Sequence, residues 1–287
     1  MLIKPELPTA REAIGFAWSL AQDPSRSGYP TYTDGIKTRA DFEEDCEYGL
    51  THKNREVLLY LENGEVSGWI QFLTEPESHY LETTIFNVAG DTQKALEEFI
   101  AYCRERYSGY RMCLGFPGEN RAAIDCLTRL GWRCEERSYN DVLSFKEYCL
   151  IPETDSPTKV TRENFESFRR LHESVQGTMY WNADRLYEAL EQWDIWMLEE
   201  NGHARAAIYN RDSDILMHIY GVDYADGDYD EKAFSALLIR ALNECKKNGK
   251  EFMVFFNEDE TQEAVLKLGF RCVGEYRMFS NAGEVEQ

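Results

Sequence analysis

Two stretches of the sequence gather residue types that could do chemistry. In "TMYWNADRLYEALEQW" (178–193), Tyr180 and Trp181 stand side by side ahead of a helix-like pattern. Aromatic faces so placed stack on a flat ligand or hold a cation; the same rings serve equally to anchor a helix on a core. In the stretch 221–234, Asp223, Asp226, Asp228, Asp230 and Glu231 crowd ahead of another helix pattern. Such a run repels anions: like charges roughly 4 Å apart repel by about 1 kcal/mol in water and about 4 kcal/mol in a half-buried setting. Asn120 and Asn257 each close a strand-like run, where a side-chain amide caps the next helix or meets a ligand.

Other chemistries find no support. The sequence contains no G-x-S-x-G, no Walker-type phosphate loop and no H-E-x-x-H. Its cysteines (Cys46, Cys103, Cys113, Cys126, Cys134, Cys149, Cys245 and Cys272) form no C-x-x-C pair, and no histidine stands near them at metal-ligand spacing. They read as small buried hydrophobes of a reducing cytosol, and no metal is expected. The formal net charge is -21, spread along the chain. Phosphate binding needs a basic face, so a nucleic-acid partner is not expected. A cationic amine would be drawn in by long-range attraction; the same charge also serves plain solubility. The N-terminal stretch lacks the apolar centre of a signal peptide, and no run approaches the roughly 18 apolar residues of a membrane span. The expectation is a cytoplasmic protein without a membrane partner.

The elements that must position these residues are written twice. "LTRLGWRC" (127–134) returns as "VLKLGFRC" (265–272), and "YLENGEVSGWI" (60–70) returns as "LEENGHARAAI" (198–208), both at an offset of 138 residues. In the second pair, Asn-Gly separates two apolar runs, the signature of a tight hairpin. Leu96, Phe99, Ile100 and Cys103 fall on one face of a helix at i, i+3, i+4 and i+7. The full order reads ααβββαβαβ, once in 1–150 and again in 151–287, with the proline-bearing stretch near 149–161 as linker. The expected fold class is α/β of the α+β type: two tandem domains, each a mixed, mostly antiparallel twisted sheet flanked by helices.

This order, together with Asn120, Ala123, Leu130, Gly131 and Trp132 at their spacing, resembles the GNAT superfamily of acyl-CoA N-acyltransferases, here in tandem form. The second copy, with Asn257 and Leu268-Gly269-Phe270, matches more loosely. The resemblance implies that two neighbouring strands splay apart in each copy, 81–88 from 111–116 and 215–223 from 251–257. The gap would take the pantetheine arm of acetyl-CoA like a short extra strand, with the diphosphate on the N-terminus of the following helix. In the second copy, Tyr220, Gly221, Val222 and Asn257 would then meet the cofactor, and Asn120 in the first. His218, on the third strand of its copy, takes the place of a base. Tyr276, or Tyr139 in the first copy, takes that of the acid that protonates the leaving thiolate. Packing accounts equally for a strand histidine or tyrosine.

The sequence also departs from that family. The Arg/Gln-x-x-Gly-x-Gly/Ala phosphate loop is missing from both copies, and Leu127 and Val265 stand where the family often has tyrosine. Two functions follow as expectations. One is transfer of an acetyl group from acetyl-CoA to a small amine, with the second copy as the working one. The other is a degenerate pair that binds a ligand or partner without catalysis.

Overall fold

The computed structural model describes residues 1–153, 155–175 and 181–281. The first half of the chain runs β1 (Leu2–Ile3), α1 (Leu7–Ala21), α2 (Arg39–Thr51), β2 (Arg55–Glu62), β3 (Glu65–Glu75), β4 (Tyr80–Val88), α3 (Thr92–Arg106), β5 (Arg111–Pro117), α4 (Arg121–Arg129) and β6 (Arg133–Ser144). The second runs β7 (Thr158–Lys159), α5 (Phe165–Val175), α6 (Ala183–Glu188), a 3-10 turn, β8 (Trp193–Glu200), β9 (His203–Asp212), β10 (Leu216–Tyr224), α7 (Glu231–Lys247), β11 (Phe252–Asn257), α8 (Asp259–Lys267) and β12 (Arg271–Ser280). The repeated order is present, with a two-residue strand ahead of each copy.

Local chemistry explains the element ends. Asn63-Gly64 and Asn201-Gly202 turn the hairpins with φ of 52° and 87°, and 54° and 79°. Two successive positive φ angles match the twist of the flanking strands, and this pair of residues adopts them at low cost. Thr38 and Asp41 form a reciprocal capping box at the start of α2. The twice-written Leu-Gly-aromatic ends α4 and α8, with Gly131 and Gly269 at φ 77° and 98°.

The chain forms two compact units, and their boundary is not at residue 150. Unit 1 takes residues 1–138 and 273 onward; unit 2 takes 139–272. The halves 1–150 and 151–287 expected from the sequence therefore trade their last strands. In unit 1 the order is β1-β2-β3-β4-β5-β12, with 276–280 of β12 antiparallel to 113–117 of β5. In unit 2 the order is β6-β11-β10-β9-β8-β7, with 139–144 of β6 antiparallel to 252–257 of β11. Among the described residues, β4 runs parallel to β5 in unit 1 and β10 parallel to β11 in unit 2. The physical reason for the trade is that β6 and β12 follow the same helix and turn, so the local pattern suits either sheet.

Both faces of each sheet are covered by helices. In unit 1, Phe99, Ile100 and Cys103 of α3 pack with Phe72, Phe86 and Phe116 on one face, joined by Phe279 of β12. On the other face, Ala10, Ala13, Ala17 and Phe42 pack with Leu59 and Trp69. In unit 2, Phe234, Leu237, Leu238 and Ala241 of α7 pack with Met217, Ile219 and Met253, joined by Leu143 and Phe145. Phe165, Phe168 and Leu186 of α5 and α6 cover Ile195, Met197 and Tyr209. Burying one such side chain contributes about 1.5–3 kcal/mol. Among the described residues, no helix is long and apolar enough to cross a membrane.

Candidate functional site

Each unit opens a wedge in its sheet. In unit 1, β4 pairs with β5 only over Tyr80, Leu81 and Glu82. In unit 2, β10 pairs with β11 only from Leu216 to Ile219. Beyond those points a β-bulge kinks the strand away: Thr84 is the extra residue in β4 and Tyr220 in β10, read from the register against β3 and β9. The edges of a wedge carry main-chain groups that a neighbouring sheet strand does not satisfy, so a peptide-like chain can add there.

In unit 2, His218 sits one position before the end of the paired stretch, and Tyr220 follows at the bulge. Their rings lie 4.7 Å apart, with Phe256 of β11 5.6 Å from His218. The ring row continues through Trp193, 5.0 Å from Tyr220, to Trp181, 5.0 Å from Trp193, with the Arg211 guanidinium over Trp181 at 5.1 Å. His218, Tyr220, Phe256 and Trp181 are all half-buried, so the row forms an accessible aromatic wall beside the wedge. Tyr180, the other ring singled out in the sequence, lies outside the described residues. Gly221 permits close packing: a Cβ there would fall 2.1 Å from the Tyr209 hydroxyl.

Behind the wall, β10 is tied to the helical layer by a buried pair. The Asp223 carboxylate lies 2.6 Å from His172 Nδ1, and His172 Nε2 lies 2.9 Å from the Trp181 carbonyl oxygen. A carbonyl only accepts, so Nε2 carries a proton. Burial raises the Asp223 carboxyl above the ordinary carboxylate range, and the contact with His172 opposes that rise. Asn257, at the end of β11, donates to Asp141 at 2.5 Å, and its carbonyl oxygen accepts from Thr261. It is already engaged within the fold.

The start of α7 closes the unit 2 site. A cavity of about 790 Å³ lies there, lined by Arg205, Tyr224, Asp226, Asp228, Asp230 and Lys232 among others. The Asp230 carboxylate accepts from the amides of Lys232 and Ala233 and pairs with Arg205. These bonds hold its carboxyl below the usual range. The helix N-terminus is thus satisfied by the chain's own carboxylate. Among the described residues, the wedge edge fits a pantetheine-like arm; the helix N-terminus, with its row of acids, does not fit a diphosphate in the family's usual place.

Unit 1 carries a different set. Glu82 stands at the last paired position of β4 and accepts from the Tyr80 hydroxyl at 3.0 Å. Burial raises its carboxyl, against the Tyr80 hydrogen bond and the nearby Arg55 charge. Tyr276 packs on Gly115 and meets the Tyr29 ring at 4.6 Å, and burial together with Glu136 and Glu82 pushes its hydroxyl well up. Glu82 escaped the sequence reading, although its alternation with Tyr80 in "HYLETTIFNV" puts both on one strand face. The unit 1 wedge, however, is bridged by its own chain: the Val88 amide donates to the Arg26 carbonyl at 2.9 Å, and the Tyr29 amide to the Gly115 carbonyl at 3.0 Å. Asp91 caps α3 by accepting from Lys94, while Glu62 accepts from the Asp91 amide. Unit 1 does not fit acyl-CoA.

The structure therefore separates residues that the sequence reading grouped. His218, Tyr220, Gly221, Val222 and Asn257 belong to unit 2. Tyr276, read as the acid of that same copy, lies in unit 1, because β12 joins the sheet at β5. At the offset of 138 residues Ser138 takes the matching strand position; Tyr139, one residue on and in unit 2, donates its hydroxyl to Asp259 at 2.8 Å. Asn120 lies in unit 1; it caps α4 and donates to the Ser27 carbonyl. Among the described residues, no group of three or more His, Cys, Asp or Glu side chains is placed to hold a metal ion.

Solved structures carry the same fold. A GCN5-related N-acetyltransferase from Sphaerobacter thermophilus matches with a TM-score of 0.70 and 12% identity, over 98% of this chain and 95% of that one. A tandem GNAT protein from the clavulanic acid biosynthesis pathway matches with a TM-score of 0.56 and 10% identity, over 98% of each chain. A GCN5-related N-acetyltransferase from Kribbella flavida matches with a TM-score of 0.55 and 12% identity, over 82% of this chain and 91% of that one. No protein-family model matches the sequence, and no curated protein sequence does.

Proposed function

We propose that this chain, built on the GNAT fold twice over, transfers an acyl group from an acyl-CoA to a small amine, and that unit 2 does the work. The observation that carries this reading is the wedge between β10 and β11, which begins beside His218 and Tyr220 and faces the aromatic wall. When bound, acetyl-CoA would supply a thioester carbonyl open to attack by an amine. The β10 edge around Val222 would hold the arm. His218 takes the proton from the acceptor amine at its imidazole. Trp181 and Tyr220 orient the acceptor and exclude water from one side. The net charge of -21 draws a cationic amine toward the protein.

A second reading has its own support. In both units the central helix N-terminus is satisfied by an internal carboxylate, Asp91 or Asp230. Such a pair could bind a ligand without catalysis. Denaturation with and without acetyl-CoA separates the two. Ligand at 100 times its dissociation constant adds about 2.7 kcal/mol of stability, and thiol release with a panel of amines then reports transfer. No stabilisation at millimolar acetyl-CoA favours the non-catalytic reading.

A further inference from the structure

We infer that segment 26–29 is a permanent internal occupant of the unit 1 wedge, which closes the first copy to any acyl-CoA arm. This concerns unit 1 alone and does not rest on transfer in unit 2.

The segment bonds to both edges. Main-chain bonds in β4 alternate sides. The Ala89 amide goes to Ser67 of β3, so the groups of Val88 face the wedge, and the Val88 amide donates to the Arg26 carbonyl at 2.9 Å. Across the wedge, the Tyr29 amide donates to the Gly115 carbonyl of β5 at 3.0 Å. The Asn120 side-chain amide adds a third bond, to the Ser27 carbonyl at 2.9 Å, while its oxygen caps α4 at Ala123. An inserted acyl-CoA arm would need these same edge groups.

The fit between them is close. Ser27 is 2% exposed and Gly28 is buried. A Cβ on Gly28 would lie 2.9 Å from Phe86 Cβ and 3.1 Å from the Phe86 amide nitrogen, so only glycine passes the β4 backbone here. Both flanks are fixed. Asp23 accepts through its carboxylate from the Ser25 amide and hydroxyl, and through its carbonyl from the Arg26 and Ser27 amides. Downstream, Tyr32 is 4% exposed in the core and donates to Asp45. A segment held at both ends loses little further freedom when it fills the gap. It behaves as part of the sheet and not as a lid.

Amide hydrogen exchange on the full-length chain tests this. Without ligand, the Val88 and Tyr29 amides should exchange about a hundredfold or more slower than in an unstructured peptide. Gly28→Val should release both together and leave the β10 amides unchanged. Asn120→Asp keeps the cap oxygen but removes the donor to Ser27, and keeps the test open should Gly28→Val not fold. It should speed exchange at Val88 and Tyr29 about tenfold, with Ala123 unaffected. Fast exchange at Val88 and Tyr29 in the unaltered chain overturns the inference. So does altered exchange in 22–33 and 83–90 on adding acetyl-CoA. Failure of acetyl-CoA to change exchange anywhere counts against transfer in unit 2 and leaves the occupant in place.

Discussion

At His172 the ring is fully buried and both nitrogens are engaged, one by Asp223 and one by the Trp181 carbonyl. Removing one partner strands the other in the interior, so His172→Ala should destabilise the protein by about 3–5 kcal/mol in denaturant titrations. Asp223 also fixes a pH dependence. Its folded carboxyl is raised above the unfolded value, so its protonated form favours folding. That contribution is full below the ordinary carboxylate range and is lost as pH rises through the raised value. Asp223→Asn removes this titration, so the stability of the unaltered chain minus that of the variant should fall from pH 4 toward pH 8; a constant difference contradicts the assignment. At His218 the expectation is functional: His218→Ala should lower kcat/KM about 10²–10⁴-fold with little change in stability. Little of this residue chemistry was legible in the sequence. His218 was visible as a strand histidine, but the His172–Asp223 pair joins residues 51 positions apart, and no local pattern announces such a contact.

At the scale of the element, the hairpins, the capped helices and the Leu-Gly-aromatic ends were readable, because each is set by neighbours in sequence. The destination of the last strand of each half was not. β6 and β12 carry similar patterns after similar helices, and the choice between sheets is decided by tertiary packing. Tyr276 was misplaced for that reason. The trade of strands has a measurable consequence. Phe279 is 3% exposed in the unit 1 core, although it lies near the end of the sequence. Phe279→Ala should cost about 3–5 kcal/mol, with exchange rising first in β4 and β5. Leu143 lies in the unit 2 core; Leu143→Ala should cost about 2–5 kcal/mol, with exchange rising first in β10 and β11. Reversal of the two patterns would restore the boundary near residue 150.

Over the whole molecule, charge is the dominant long-range property. Most anion sites lose affinity as salt is added. Here the acids around α7 and the net charge of -21 oppose a nucleotide diphosphate. Acetyl-CoA should therefore bind more tightly as ionic strength rises toward physiological values, where the Debye length falls to about 8 Å. A cationic acceptor should show the reverse trend, and titrations at two salt concentrations check both signs. The duplication itself was legible from two matched stretches in one register, whereas the closure of one copy by its own loop depends on three hydrogen bonds to a segment that reads as an ordinary turn.

The most direct test is a crystal structure of the full-length chain soaked with acetyl-CoA. The arm should lie along β10 between Tyr220 and Asn257, with segment 26–29 still bonded to Val88 and Gly115. An arm in the unit 1 wedge, or density in neither wedge at saturating ligand, would contradict the assignment of acyl transfer to unit 2.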